Sequence, residues 1–391
     1  MKTDAITEQV MLASGEADDG APALSCLVKR TYTLDPKHGL VVAAEQRPLQ
    51  ILVPGEEDPE IVVEESDVVP LKELTDVVVR GHVHVPRPAT RATASVSVGA
   101  ITKDIVVHGD RRAERGPTAD VRFTPALPFD KMPLSYRNAY GGEDRVALAK
   151  YGNPYLEWMK YAPEIAQRSR HSPYRYPRNG VGKGYLFEVT DAALDALELP
   201  NLEDPSDPLT PERLAVRDPR AWPTMPLPWS TDWLSLGAFP RTAYYGAAPA
   251  FDLPPDELAE VARGFLAKDA IKPPFSFDAV RLRIANAGSL GLQLGPFTAA
   301  HAATLELRLV NLHPKRPTLA FRLPPGAPEI RVDGRSPKGT LVPTSPVLHH
   351  VVIEPDADRV SVVWRGSTPV MRRYHVDELV KMPLSVVWPE A

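Results

Sequence analysis

The sequence predicts a mainly β protein, a β-rich α+β fold with two antiparallel β-sandwich-like domains around a loop-dominated centre with a few short helices. Three observations predict it. Two regions alternate apolar and polar residues with the period of two that a half-buried strand imposes. Proline is in excess, at 43 of 391 residues, and it breaks helix interiors and central strands alike because it lacks a backbone donor. Between the two alternating regions the period vanishes and prolines and aromatics crowd together, as in PFDKMPLSY and RAWPTMPLPWSTDW.

Residues 1–22 are small and polar and read as a flexible N-terminal arm. Residues 23–125 read as the N-terminal β domain. Within Val77–Val85, Val77, Val79, Val83 and Val85 share one face of a strand, while Val78, Arg80, His82 and His84 share the other. Ala94, Val96 and Val98 alternate again, and Lys103–His108 follows across Gly99-Ala100, two small residues suited to a tight hairpin turn. Residues 126–275 form the loop-rich central region. Thr190 is placed to cap a helix over Asp191–Glu198. A second helix is expected over 255–268, with Leu258, Val261, Ala262, Phe265 and Leu266 on one face behind Pro255. The tryptophan and tyrosine content of this centre predicts ordered loops, since disordered segments are poor in aromatics. Residues 276–391 are expected to form the C-terminal β-sandwich domain. Its strands include Val280–Ile284, the run holding Leu305, Leu307 and Leu309, and His350–Ile353 joined to Val360–Trp364 by the turn Pro355–Asp358.

Composition excludes several classes. With 43% hydrophobic and 24% charged residues the chain is expected to fold. A net charge of −5, with both signs interspersed, leaves no basic footprint for nucleic acid. No run of 18 apolar residues exists, and the first twenty residues carry acids instead of a signal-peptide core. One cysteine, Cys26, permits no internal disulfide and fits a reducing cytoplasm. A cytoplasmic protein without membrane contact is expected.

No residue pattern specifies a reaction. His82 and His84 share a strand face, and His108 with Asp110 could complete a metal site or the centre of a metal-dependent enzyme. Arg80 on the same face argues against a cation there, so no metal is assigned. Asn179–Tyr185 carries three glycines and Lys183, but Pro177 and Gly184 break the phosphate-loop spacing. Gly180, Gly182 and Gly184 are instead expected to take positive φ. Cys26, among Leu24, Leu27 and Val28, reads as a core residue rather than a nucleophile. No cofactor is expected. Trp222, Trp229 and Trp233 could serve a carbohydrate-binding sandwich as stacking platforms. The stretch Arg168–Arg178 interleaves arginines with His171, Tyr174 and Tyr176. Arginine and aromatic side chains are the usual anchors of protein interfaces. Arg168, Arg170, Tyr174, Tyr176, Trp222 and Trp229 are therefore the candidate protein-binding residues, with the two tyrosines expected to be exposed.

Several motifs resemble a bacterial family first catalogued as domain of unknown function 2169. They are Ser66–Lys72, Thr75–His82, Gly109–Arg111, Met132–Tyr136, Ala139–Gly142, Asn179–Tyr185 and Leu199–Pro205, with Val362–Gly366 like the family's closing strand. Order and spacing match over 25–205. Asn179-Gly180 stands where the family usually reads Asn-Pro, and His108 where an aromatic is commoner. The resemblance implies a non-enzymatic adaptor or chaperone of type VI secretion. Such a protein holds a toxin effector and delivers it to the spike and tip proteins.

Overall fold

A computed structural model describes residues 2–3, 6–17, 20–58, 60–69, 72–153, 172, 174–215, 224–238, 241, 285–333 and 341–389. Strands dominate it and the helices are short, so the chain is mainly β. The largest sheet runs Gln293–Leu294, Thr75–Val79, Val347–Glu354, Arg359–Pro369, Pro22–Asp35 and Val10–Glu16, with Gly39–Val42 as a seventh strand beside Pro22–Asp35. Thr75–Val79 lies parallel to Val347–Glu354, and the other neighbours are antiparallel. A five-stranded sheet runs Leu202–Glu203, Ile101–His108, Arg91–Val98, Glu306–Val310 and Thr318–Arg322. One hydrophobic cluster draws Leu24, Cys26, Val28, Val77, Val362 and Trp364 from the first sheet. From the second it takes Val96, Val98, Ile105, Val107, Leu307 and Leu309. Each fully buried Leu, Val or Ile in this core contributes roughly 1.5–3 kcal/mol.

Both predicted hairpins form. Val98 pairs with Ile101 across Gly99, whose φ of 58° supplies the turn. Val347–Glu354 and Arg359–Pro369 pair across the 3-10 turn Pro355–Ala357 and the left-handed Asp358. Leu307 and Leu309 point inward while Glu306 and Arg308 face out, as alternation predicts. Thr190 caps a helix shorter than expected, Asp191–Asp195, by accepting a hydrogen bond from Ala193 N at 3.2 Å.

Three expectations are corrected. The β regions 23–125 and 276–391 are not separate sandwiches, because their strands complete the same sheets: Pro22–Asp35 pairs with Arg359–Pro369, and Arg91–Val98 with Glu306–Val310. Residues 1–22 are not simply an arm. Val10 and Leu12 are buried, and Val10–Glu16 pairs along Pro22–Val28. Val77–Val85 is not one strand. The chain breaks at Gly81, which has a φ of 134°, and His82–Ala89 leaves to pair with Phe129–Pro133. A Cβ on Gly81 would lie 3.0 Å from the Asp356 carboxylate.

The outer face of the seven-stranded sheet is polar and buried under loops. Asp67 accepts a hydrogen bond from Lys29 Nζ at 2.7 Å, one from Gln50 N at 2.7 Å and one from His350 Nε2. Lys72 donates to Asp76 at 2.6 Å, and Asp76 also accepts from Asn286 Nδ2 at 2.9 Å and Ala287 N at 3.1 Å. Glu65 pairs with Arg241 at 2.8 Å. Loops without regular structure are thus fixed to the sheet by ion pairs, each of which would be costly to leave half-made.

Candidate functional site

Two motif loops meet below the sandwich. Tyr140-Gly141 and Lys183-Gly184 pair in parallel, and Asn179 Nδ2 ties them by donating to Tyr136 O at 2.8 Å and Tyr140 O at 3.0 Å. Gly141, Gly142 and Gly184 take positive φ, whereas Gly180 and Gly182 do not. The expectation of positive φ at those two is corrected: they are small for lack of space. A Cβ on Gly182 would lie 2.4 Å from Ala139 O, and one on Gly180 2.1 Å from Arg175 Nε. Asp144 locks the other side. One carboxylate oxygen accepts from Ala147 N at 2.9 Å and caps the helix Arg145–Tyr151. The other accepts from Phe187 N at 3.0 Å and Glu188 N at 3.2 Å.

Around these loops opens a groove of about 930 Å³, with Asp58, Arg137, Glu143, Arg145, Lys183 and Glu198 among its lining residues. Arg137 lies 3.8 Å from Asp58 and Lys183 3.8 Å from Glu198. In each pair one partner is exposed, and a separation of 3.8 Å is long for an ion pair, so the contact holds weakly.

The profile of a family described as an uncharacterized protein conserved in bacteria (DUF2169) matches residues 19–365, which includes both loops. The chain belongs to the DUF2169 family. No curated protein and no solved structure matches it.

The DUF2169 motifs noted in the sequence mostly supply buried fasteners. Asp67, Lys72 and Asp76 hold the outer loops, and Asn179 holds the groove. Glu203 accepts from Arg111 Nη2, and Asn201 Nδ2 donates to His108 O and Asp110 Oδ1 at 3.0 Å each. Sequence reasoning missed these roles, although charged residues beside the apolar run Val77–Val79 were a sign of buried pairing.

The predicted protein-binding residues are placed differently from expectation. Tyr176 is 1% exposed and Tyr174 7% exposed. Tyr176 meets Tyr140 edge-on at 5.0 Å, packs 5.3 Å from Tyr185 and donates its hydroxyl to Pro226 O at 2.9 Å. Tyr174 packs edge-on to Phe187 at 4.8 Å. Both rings therefore build the wall behind the groove, because their apolar area is worth more inside than in water. Arg178 is fully buried and donates to the Tyr176 hydroxyl at 3.2 Å, while Arg175 is spent on Glu60 and Gly180 O. Arg168, Arg170, Trp222, the helix expected over 255–268 and the strand Val280–Ile284 lie outside the described residues.

Trp229 is half-buried and donates to Asp104 O at 2.7 Å, with Lys103 Nζ 3.9 Å from its ring centroid. Trp233 is buried against His350. Neither offers a free stacking face. Lys103 also donates to Ser289 Oγ at 3.3 Å and to Leu290 O. Burial, only partly offset by Asp204, pushes its ammonium pKa down to about 7. Above that pH the unfolded chain binds the proton that folded Lys103 lacks. Stability is therefore expected to rise between pH 7 and about 10, by at most about 1.4 kcal/mol per unit. Lys103→Met should flatten that rise. Urea unfolding at pH 7, 8 and 9 measures it, and parallel profiles for the two proteins would refute the assignment.

The histidines do not form the set considered from sequence. His82 Nδ1 and His84 Nε2 each donate to Asp356, at 2.6 Å. His108 stands in the five-stranded sheet, 3.6 Å from Glu203. Among the described residues no group of three His, Cys, Asp or Glu is arranged to hold a metal ion. Burial pushes the Cys26 thiol up to about 12, a poor nucleophile. Among the described residues no helix is long and apolar enough to cross a membrane.

Proposed function

We propose that this DUF2169 protein is a non-catalytic adaptor of type VI secretion. It holds a toxin effector in the cytoplasm, delivers it to the spike and tip proteins, and seats a segment of that effector in the groove. The observation that carries this reading is how the groove is made. Its walls come from two motif loops, Ala139–Gly142 and Asn179–Tyr185, fixed by buried side chains, while Arg137 and Lys183 at its rim make only long ion pairs, each of 3.8 Å. A rigid wall with exchangeable rim charges suits capture of a polar protein segment without ordering losses on the adaptor side.

The test is co-expression with the toxin encoded beside the gene. Arg145→Glu with Lys183→Glu is expected to lower toxin recovery about tenfold, equivalent to about 1.4 kcal/mol. Arg322→Glu, at an exposed position of the half-buried strand Thr318–Arg322, is expected to recover toxin like the wild type. Equal recovery by all three folded proteins would remove the groove from the reading.

A further inference from the structure

On the polar face of the seven-stranded sheet one half-buried cation has no carboxylate partner among the described residues. Lys29 is matched by Asp67, Lys72 by Asp76 and Arg241 by Glu65. Arg365, in the motif Val362–Gly366, has no carboxylate among its ion pairs. Its Nη1 donates to Lys72 O at 3.1 Å, and its Nε is buried with no hydrogen-bond partner among the described residues. Beside it the pairing of Val347–Glu354 slips between Leu348 and His350, which makes His349 an extra residue. His349 is 1% exposed, and neither ring nitrogen has a partner among the described residues. Burial, with the charges of Lys72 and Arg365 nearby, holds its imidazole well below the usual range.

Among the described residues, the buried Nε–H of a half-buried guanidinium and a buried imidazole N–H are two donors lacking an acceptor, and the guanidinium lacks a counter-charge. A water molecule would answer the first need only. An oxyanion answers both, and its oxygens match the planar donor edge of arginine. We infer that Arg365, His349 and Lys72 form an internal binding site for a small inorganic oxyanion, phosphate or sulfate in chemical class. Arg365 Nε–H and a ring N–H of His349 donate to it, and the Lys72 ammonium adds charge while staying paired to Asp76. The ion joins the slipped strand to the loop ending at Lys72, and so adds to stability independently of any cargo.

The experiment is thermal unfolding of the full-length protein at pH 7 while sodium phosphate is titrated. A bulky organic sulfonate salt holds the ionic strength constant, and sodium sulfate forms a second arm. The wild type is expected to gain stability as the logarithm of one plus the ratio of phosphate to its dissociation constant. At ten times that constant the folded-to-unfolded ratio rises about elevenfold. Arg365→Gln is expected to lose this logarithmic response in both arms. His349→Leu keeps the charge but loses a donor, and is expected to need at least tenfold more phosphate; it decides the matter if Arg365→Gln does not fold. A wild-type gain that is merely linear in phosphate concentration, or the same dissociation constant in the wild type and His349→Leu, overturns the site.

Discussion

Asp67→Ala is expected to destabilise the protein by about 3–5 kcal/mol at pH 7, the range typical of breaking a buried ion pair from one side. The substitution leaves the Lys29 ammonium buried without its counter-charge and removes the acceptor of Gln50 N and His350. Burial alone would raise the Asp67 carboxyl, but His350 and Lys29 overcome it and hold the group at about 2. Since the unfolded value is about 3.9, the stability from this carboxylate is complete above roughly pH 4. It falls away as pH drops toward 2. Asp67→Ala should therefore be less stable than the wild type at pH 7, with the gap narrowing by pH 3. Denaturant unfolding at the two pH values measures both statements. A loss below 1 kcal/mol at pH 7 would show that the outer loops are held by something else.

Gly182→Val is expected to lower stability by about 3 kcal/mol or more, at the upper end for overpacked sites. The reason is contact with backbone rather than φ. Ala139 O, 2.4 Å from the position a Cβ would occupy, also accepts a hydrogen bond from Lys183 N at 3.1 Å, and Asn179 Nδ2 closes the other side at 2.4 Å. Neither can yield without undoing the parallel pairing of the two loops. Unfolding of Gly182→Val and Gly182→Ala against the wild type tests this, and a melting temperature within 1–2 °C of wild type for the valine variant would contradict it.

The contrast between these positions explains what the sequence could reveal. Strand alternation is local, so the hairpins at Gly99 and at Pro355–Asp358 were readable, as was the buried Cys26. Which strands become neighbours is decided by packing between segments hundreds of residues apart. Nothing local distinguishes two sandwiches from one shared pair of sheets. Val10–Glu16 was missed because its apolar residues are few and mixed with Ala, Ser and Gly. Tyr174 and Tyr176 misled because arginines and prolines around a tyrosine suggest a wet loop, whereas here Arg175 and Arg178 turn inward to internal partners. For the groove, the glycine spacing marked the right loop, but only coordinates could show that Gly182 is small to admit a carbonyl.

The interleaving of early and late strands also sets a timetable for synthesis. Pro22–Asp35 pairs with Arg359–Pro369 from Thr33↔Arg359 to Ala23↔Pro369, and Thr75–Val79 pairs with Val347–Glu354. At about 5–20 residues per second a ribosome needs roughly 13–70 s to emit the chain between these partners. For that interval the long apolar strand Pro22–Asp35 has an open edge, the kind of surface that recruits other unfolded chains. A protein whose proposed work is to shelter another polypeptide thus needs shelter of its own while it is being made, and fragments ending before residue 347 should collect as aggregates.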